Sequence, residues 1–257
     1  MRRPSAVRPM IVAFMIALLV GPSVASAQTQ PQEPRRTPDF LFGRPHGAVG
    51  FRGSWTFASA GSDLFDFVTS QLTIDKSDFN APGWGADVAI FLTPRVDAQF
   101  GVFMARMSQG SEYRELVDND FLPIEQDTSL KTLHLTGSVR FALAPRGHDV
   151  SRFAWVPSRF VPYVGGGGGV IRYDFMQRGD FVDFQDFSVF TDVFRSEGWA
   201  PSAHVFGGVD VKLFRALYGT IEGRYTKASG DLSSDFVDFD PIDLSGFRLS
   251  AGINLIF

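Results

Sequence analysis

Residues 244–257 constrain the fold of this chain more than any other stretch. Phe247, Leu249, Ala251, Ile253, Leu255 and Phe257 occupy alternate positions, with Gly246, Arg248, Ser250, Gly252 and Asn254 between them. A period of two belongs to a strand with one greasy face and one polar face. Strands in soluble proteins mostly run about 5 to 6 residues, whereas a strand tilted across a bilayer needs about 9 to 11 plus overhang. A periodic run of this length therefore points to a strand that crosses a membrane.

The same alternation recurs upstream. It predicts strands over 46–57, 83–92, 95–107, 129–143, 159–175, 202–213 and 217–227, which with the last makes eight. In the fifth of these, Gly165 to Gly169 sit between Val161, Pro162, Tyr163 and Val164 on one side and Val170, Ile171 and Tyr173 on the other. Such flanks mark a strand rather than a linker, with glycine letting the sheet bend or making room for bulky side chains from other strands. The expected connections are long at 59–82, 108–128, 176–201 and 228–243, short at 93–94 and 214–216, and intermediate at 144–158. An even strand number puts both ends of a closed ring's chain on one side, and the parity then places every long loop on the side opposite the short turns.

The beginning of the chain reads as an address. Arg2, Arg3 and Arg8 precede an apolar run from Met10 to Val20, and Ala25-Ser26-Ala27 forms a small-residue cleavage pattern. Residues 1–27 are therefore expected to be a signal peptide, and 28–45, with Pro31, Pro34, Pro38 and Pro45, a flexible periplasmic segment. A single barrel domain is expected over 46–257, with Phe40-Leu41-Phe42 as an anchor against its periplasmic end. No other stretch approaches the roughly 18 to 20 apolar residues of a transmembrane helix, so a membrane crossing must be made by strands. The absence of cysteine excludes disulfides, thiolate chemistry and cysteine-based metal sites. Without its first 27 residues the chain has 21 basic and 28 acidic residues, a formal charge of −7. Neither a phosphate-binding loop nor a metal-ligand cluster is present, so no cofactor and no nucleic-acid partner are expected.

The final amphipathic strand closing on an aromatic residue resembles the outer-membrane β-barrels of Gram-negative bacteria, whose assembly machinery recognises such a strand. The resemblance assigns Phe247, Leu249, Ile253, Leu255 and Phe257 to that assembly signal. Pro162-Tyr163-Val164-Gly165 and the glycines after it also resemble a recurrent strand of small barrels. Over 46–257 the chain resembles the eight-stranded barrels represented by the OmpA membrane domain, OmpX and OmpW. What this implies is an all-β, antiparallel, up-and-down transmembrane barrel in the outer membrane. Its partners would be the barrel assembly machinery, outer-membrane lipid and lipopolysaccharide. The implied role is structural or surface-interacting and non-enzymatic, with a narrow porin or transporter for small solutes as the alternative. A lipid A-modifying hydrolase is a weaker one, because Ser202 and His204 stand in the reverse order from that motif and face the lumen. Deleting Phe257, or replacing it with Asp, is expected to lower insertion into the outer membrane, read as loss of the heat-modifiable gel band; normal assembly of both variants would remove this role from the last strand.

Two sets of charges are candidate sites. On the polar faces lie Arg52, Asp87, Asp97, Arg140, Arg172, Asp210, Lys212, Glu222, Arg224 and Arg248. An eight-stranded lumen is just wide enough to be filled by side chains, so these charges are expected to pair into a plug. The four long loops hold 20 acidic residues against 4 basic ones, a net of −16. They include Asp-Phe-Val-Asp-Phe twice, at 180–184 and 235–239. The phenylalanines are expected to pack between loops. Asp180, Asp183 and Asp186 with Asp235, Asp238 and Asp240 are the candidates for weak binding of divalent cations at the cell surface.

Overall fold

The computed structural model describes residues 40–118, 121–186 and 188–257; the expected signal peptide and residues 28–39 of the expected flexible segment lie outside these. Among the described residues eleven strands form, and eight of them close a ring. These are β1 (Gly47–Ala58), β2 (Ala81–Phe91), β3 (Val96–Val117), β4 (Pro123–Ala142), β7 (Phe160–Val182), β8 (Val189–Phe214), β9 (Leu217–Gly230) and β11 (Gly246–Ile256). Every neighbouring pair is antiparallel; β8 pairs with β9, and β1 with both β2 and β11, so no edge is left open. Among the described residues no helix is long and apolar enough to cross a membrane.

The stagger of the ring follows from the register. Paired residues lead from Phe57 through Phe247, Tyr225, Val205, Gly166, Val139, Ala98 and Ile90 to Gly47. One circuit thus returns to β1 ten residues below its start, from 57 to 47. Ten residues of shear over eight strands tilts them by about 40° from the barrel axis. Each residue then advances about 2.5 Å along that axis, so the outward runs of about ten residues span about 25 Å, the height of the apolar band of outer-membrane barrels.

That band is present on the outer face. Val49, Phe51, Trp55 and Phe57 on β1 are exposed while Gly50 and Arg52 are buried, and the same parity holds on β11 for Phe247, Leu249, Ile253 and Leu255 against Arg248, Ser250 and Asn254. Trp84, Phe100, Val139, Val205 and Ile221 continue the band around the ring. Exposed apolar surface of this extent requires an apolar solvent. Phe257 seals the seam between β1 and β11: its carbonyl accepts from the amides of His46 and Gly47, at 2.7 and 3.1 Å, and its amide donates to Gly47 at 3.0 Å.

The structure corrects the expected loops. The spans 108–128 and 176–201 are mostly strand, because β3, β4, β7 and β8 continue well past the belt; β7 and β8 stay paired to Val182 and Val189. The span 59–82 carries a helix, α1 (Asp63–Gln71), whose first turn holds Asp63 and Asp66 where the helix dipole favours acids. Its apolar face, Leu64, Phe65 and Val68, is buried in a cluster with Ile74, Phe79, Met107, Tyr173, Phe175, Phe236 and Ile242. This cluster closes the end of the barrel opposite the termini. Each large apolar side chain so buried contributes about 1.5–3 kcal/mol.

The other end is closed differently. The connection 144–158, expected to be irregular, holds the hairpin β5 (Gly147–Ser151) and β6 (Ala154–Pro157). Leu41 pairs with Trp155 through two backbone hydrogen bonds, at 2.8 and 3.0 Å, and Arg44 forms an ion pair with Asp149. Within the expected aromatic anchor it is thus Leu41 that pairs, while Phe42 projects into solvent. Trp155 is buried under the mouth. A short strand pair, β10 (Ile242–Asp243) with β9, completes the distal end.

Candidate functional site

The barrel interior is built from the inward parity of each strand. Near mid-height the Glu222 carboxylate accepts from Arg52 at 2.7 Å, from Arg224 at 2.9 Å and from the Tyr163 hydroxyl at 3.1 Å. Arg52 also pairs with Asp87 at 2.8 Å, and Asp87 accepts from the Gln99 amide at 2.7 Å. Closer to the termini, Asp97 is held by Arg140 at 2.7 Å and by Arg146. Arg140 reaches Asp210 as well, at 3.0 Å, and Asp210 accepts from Asn254 at 3.1 Å. Tyr163 joins the two clusters, because the Arg140 guanidinium lies 4.7 Å from the centre of its ring. Burying charges in this way is tolerated because each carboxylate meets a guanidinium and further donors.

Eight of the ten sequence candidates therefore face the lumen in interacting positions or stand beside the clusters: Arg52, Asp87, Asp97, Arg140, Asp210, Glu222, Arg224 and Arg248. Lys212 shares the inward face of β8 at the terminal rim, half-buried. Arg172 is a correction, because it points away from the lumen with a side chain 54% exposed. Between Val161 and Gln177 the buried positions of β7 are Val161, Tyr163, Ile171, Tyr173, Phe175 and Gln177, so the even residues Arg172 and Asp174 lie outside. The physical reason is that the polarity of the two faces reverses where the strand leaves the bilayer. Below that level the lumen is polar and the outside greasy; above it the inside is the Phe-rich core and the outside meets water. Arg106, at the same parity as Val102 and Met104, is likewise exposed on the outer face of β3.

Arg248 differs from the expected role in another way. Among the described residues it has no ion-pair partner and lies instead 3.9 Å from the centre of the Phe103 ring. Phe103 is thus an inward residue with a partner. A cavity of about 40 Å³ lies here, lined by Gln99, Thr136, Glu222, Arg224, Arg248 and Ser250. It has room for little more than a water.

Sequence reasoning missed Tyr163, Gln99, Asn254 and Arg146. The first three could have been found from parity, since each falls on the inward face of its strand. Arg146 comes from a turn, which carries no periodic signal. The Ser202–His204 pair is also rearranged: His204 Nε2 lies 2.7 Å from Ser138 Oγ, while Ser202 Oγ and His204 Nδ1 have no hydrogen-bond partner among the described residues. Nothing orients the far side of that imidazole, so the geometry is not that of a hydrolase triad.

The acidic tips are dispersed. Asp183 and Asp186 accept from the amides of Gln185 and Ser188, Asp180 accepts from Thr191, and Asp235 accepts from the Arg195 amide. The backbone amide of Asp240 donates to Asp63. Among the described residues no three acidic or histidine side chains converge as a metal cage, so Asp180, Asp183 and Asp186 with Asp235, Asp238 and Asp240 form no preorganised site. The repeats meet through their rings instead. Phe181 and Phe236 both contact Phe194, with ring centres 4.6 and 6.3 Å apart.

No protein-family model matches the sequence, and no curated protein matches it. Among solved structures the chain is similar to the neisserial surface protein NspA, at 12% identity over 82% of this chain and 97% of that one, with a TM-score of 0.44. It is similar to the outer membrane protein OprG of Pseudomonas aeruginosa at 12% identity, over 85% and 98% of the two chains, with a TM-score of 0.47. With the outer membrane protease OmpT of Escherichia coli it shares 10% identity over 86% and 99%, with a TM-score of 0.40. The closed ring, its stagger and its apolar band give this chain the architecture of the small outer-membrane barrels.

Proposed function

We propose that the chain is an outer-membrane barrel with a structural and surface-interaction role, in which the lumen is a plug and the projecting end is the working surface. The observation that carries this reading is the closure of the interior at three levels. Paired charges fill the middle, the α1 and phenylalanine cluster covers the distal end, and Trp155 with the β5–β6 hairpin covers the terminal end. With both termini in the periplasm, the acidic, strand-extended end projects from the cell. It carries most of the loop charge and presents Phe121, Phe184 and Val237 to solvent, a surface suited to contact rather than to passage.

Conductance across planar bilayers tests this. The refolded barrel is expected to insert without resolvable unit steps, since every described route along the axis crosses an ion-paired layer and an apolar one. A steady ohmic conductance would overturn the plug and favour the narrow porin.

A further inference from the structure

Just above the apolar band, on the face turned away from the lumen, four basic side chains, Arg106, Lys131, Arg172 and Arg195, face only two carboxylates, Asp174 and Glu197. Arg106 on β3 and Lys131 on β4 are directly opposed cross-strand partners, and both are exposed. Like charges so placed destabilise a strand pair. Arg172 lies on the next row down, opposite Leu133 on one side and Trp199 on the other, with its guanidinium 6.0 Å from the indole centre. Two carboxylates share this face, Asp174 as the cross-strand partner of Lys131 and Glu197 beside Arg172, and both are held most closely by Arg195. Arg195 holds Asp174 at 2.8 Å and Glu197 at 3.2 Å, whereas Lys131 and Arg172 approach those two groups only to 3.7 Å. Among the described residues Arg106 has no ion-pair partner.

Arg106, Lys131 and Arg172, with the Asp174 carboxylate among them, form one wall of a groove of about 550 Å³ whose floor is Trp84, Met104 and Leu133. The floor is continuous with the lipid-facing band. A ligand that fits both parts must be anionic at one end, apolar at the other, and delivered from within the bilayer. We propose that this groove binds the phosphate headgroup of a lipid in the adjoining leaflet, with the phosphate between Arg106, Lys131 and Arg172 and the acyl chains along Trp84 and Leu133. The inference rests on the membrane-spanning reading above and names a partner site for it. It also resolves how an acidic projecting surface sits beside anionic lipid: the cations that grip phosphate are on the outer faces of extended strands, not in the loop tips.

The test is native mass spectrometry of the refolded protein released from detergent micelles. The added probes are bis-phosphorylated lipid A, the same lipid with its phosphates removed, and inorganic phosphate. One phosphorylated lipid is expected to stay bound. Retention should fall about tenfold or more for the dephosphorylated lipid and for the Arg106→Gln/Lys131→Gln/Arg172→Gln variant, as loss of charge-assisted contacts predicts. A control carrying Arg152→Gln, Arg159→Gln and Arg215→Gln, all exposed at the terminal end, should retain lipid as the parent does. Equal retention of the two lipids, an equal loss in the control, or inorganic phosphate bound as tightly as the lipid would each overturn the site. The substituted side chains project outward, so the heat-modifiable band should persist; if the triple variant lacks it, Arg106→Gln alone is measured, and unchanged retention there overturns the site equally. A parent chain that never inserts into bilayers would sink the membrane reading itself, whereas one that inserts and shows no phosphate preference would sink only this inference.

Discussion

Replacing Glu222 with leucine is expected to destabilise the barrel by about 3–5 kcal/mol, or to stop it from assembling, because it strands the buried Arg224 guanidinium and removes one of the two carboxylates that hold Arg52. The Glu222 side chain is 3% exposed and is the shared acceptor of Arg52, Arg224 and the Tyr163 hydroxyl. Asp87 remains for Arg52. Arg224 has no second carboxylate among the described residues and is left against the Phe206 ring, 4.4 Å from its centre. Denaturant unfolding followed by tryptophan fluorescence and by gel mobility would give the shift. The double change Glu222→Leu with Arg224→Met should recover a large part of the loss, since removing both members of a buried pair is far less damaging than removing one. A single variant as stable as the parent would mean that water solvates these guanidinium groups, and with that the plugged lumen would fail.

Gly167→Val is expected to prevent assembly, while Gly168→Val, one residue along, should be tolerated. A Cβ on Gly167 would stand 2.1 Å from the Gly137 carbonyl oxygen and 2.7 Å from the Ser138 Cα, both backbone atoms of the adjoining β4. A Cβ on Gly168 points to the outer face and meets nothing closer than the Ser202 carbonyl oxygen at 3.2 Å. Overpacking a filled interior costs about 1–3 kcal/mol when side chains can yield, and more when backbone must move. The neighbouring inward positions behave alike: a Cβ on Gly165 would lie 2.3 Å from the Phe206 ring, and one on Gly169 2.0 Å from the Leu135 carbonyl oxygen. The glycine run is therefore two devices in one sequence, close strand approach at its odd positions and lipid-facing surface at its even ones. Heat-modifiable mobility of the two valine variants separates them; equal behaviour would show that strand bending, and not close approach, accounts for the run.

Strand number, sidedness and most of the inward parity were legible in the sequence because a bilayer imposes a period of two on every strand that crosses it. The greasy faces of β1, β2, β9 and β11 can be read residue by residue, and Glu222, Arg224 and Arg52 fall on the opposite face without further information. What could not be read was the level at which the greasy and polar faces exchange. Parity continues unbroken along β7, yet Tyr163 faces a polar lumen, and Tyr173 and Phe175 face an apolar core. The five glycines between have no side chains to show that the change has occurred, so Arg172 was placed on the wrong side. The helix α1 was hidden similarly: Leu64, Phe65, Val68 and Leu72 have helical spacing, but within an acidic connection only Phe79, Phe175 and Phe236, brought from elsewhere in the chain, provide the surface that makes burying them favourable.

Alternation, strand length and even strand number admit few solutions other than a closed ring of tilted strands with charges inside and hydrocarbon-compatible side chains outside. The tertiary structure alone decided who meets whom. A stagger of ten residues brings Arg140 of β4 to Asp210 of β8 and Arg52 of β1 to Glu222 of β9, pairings that sequence separation does not encode. It also decided that Arg106, Lys131 and Arg172 gather on one outer face. The reason is geometric: local sequence fixes the face to which a side chain points, whereas its height on the barrel, and so its partners, depend on the closure of all eight strands together.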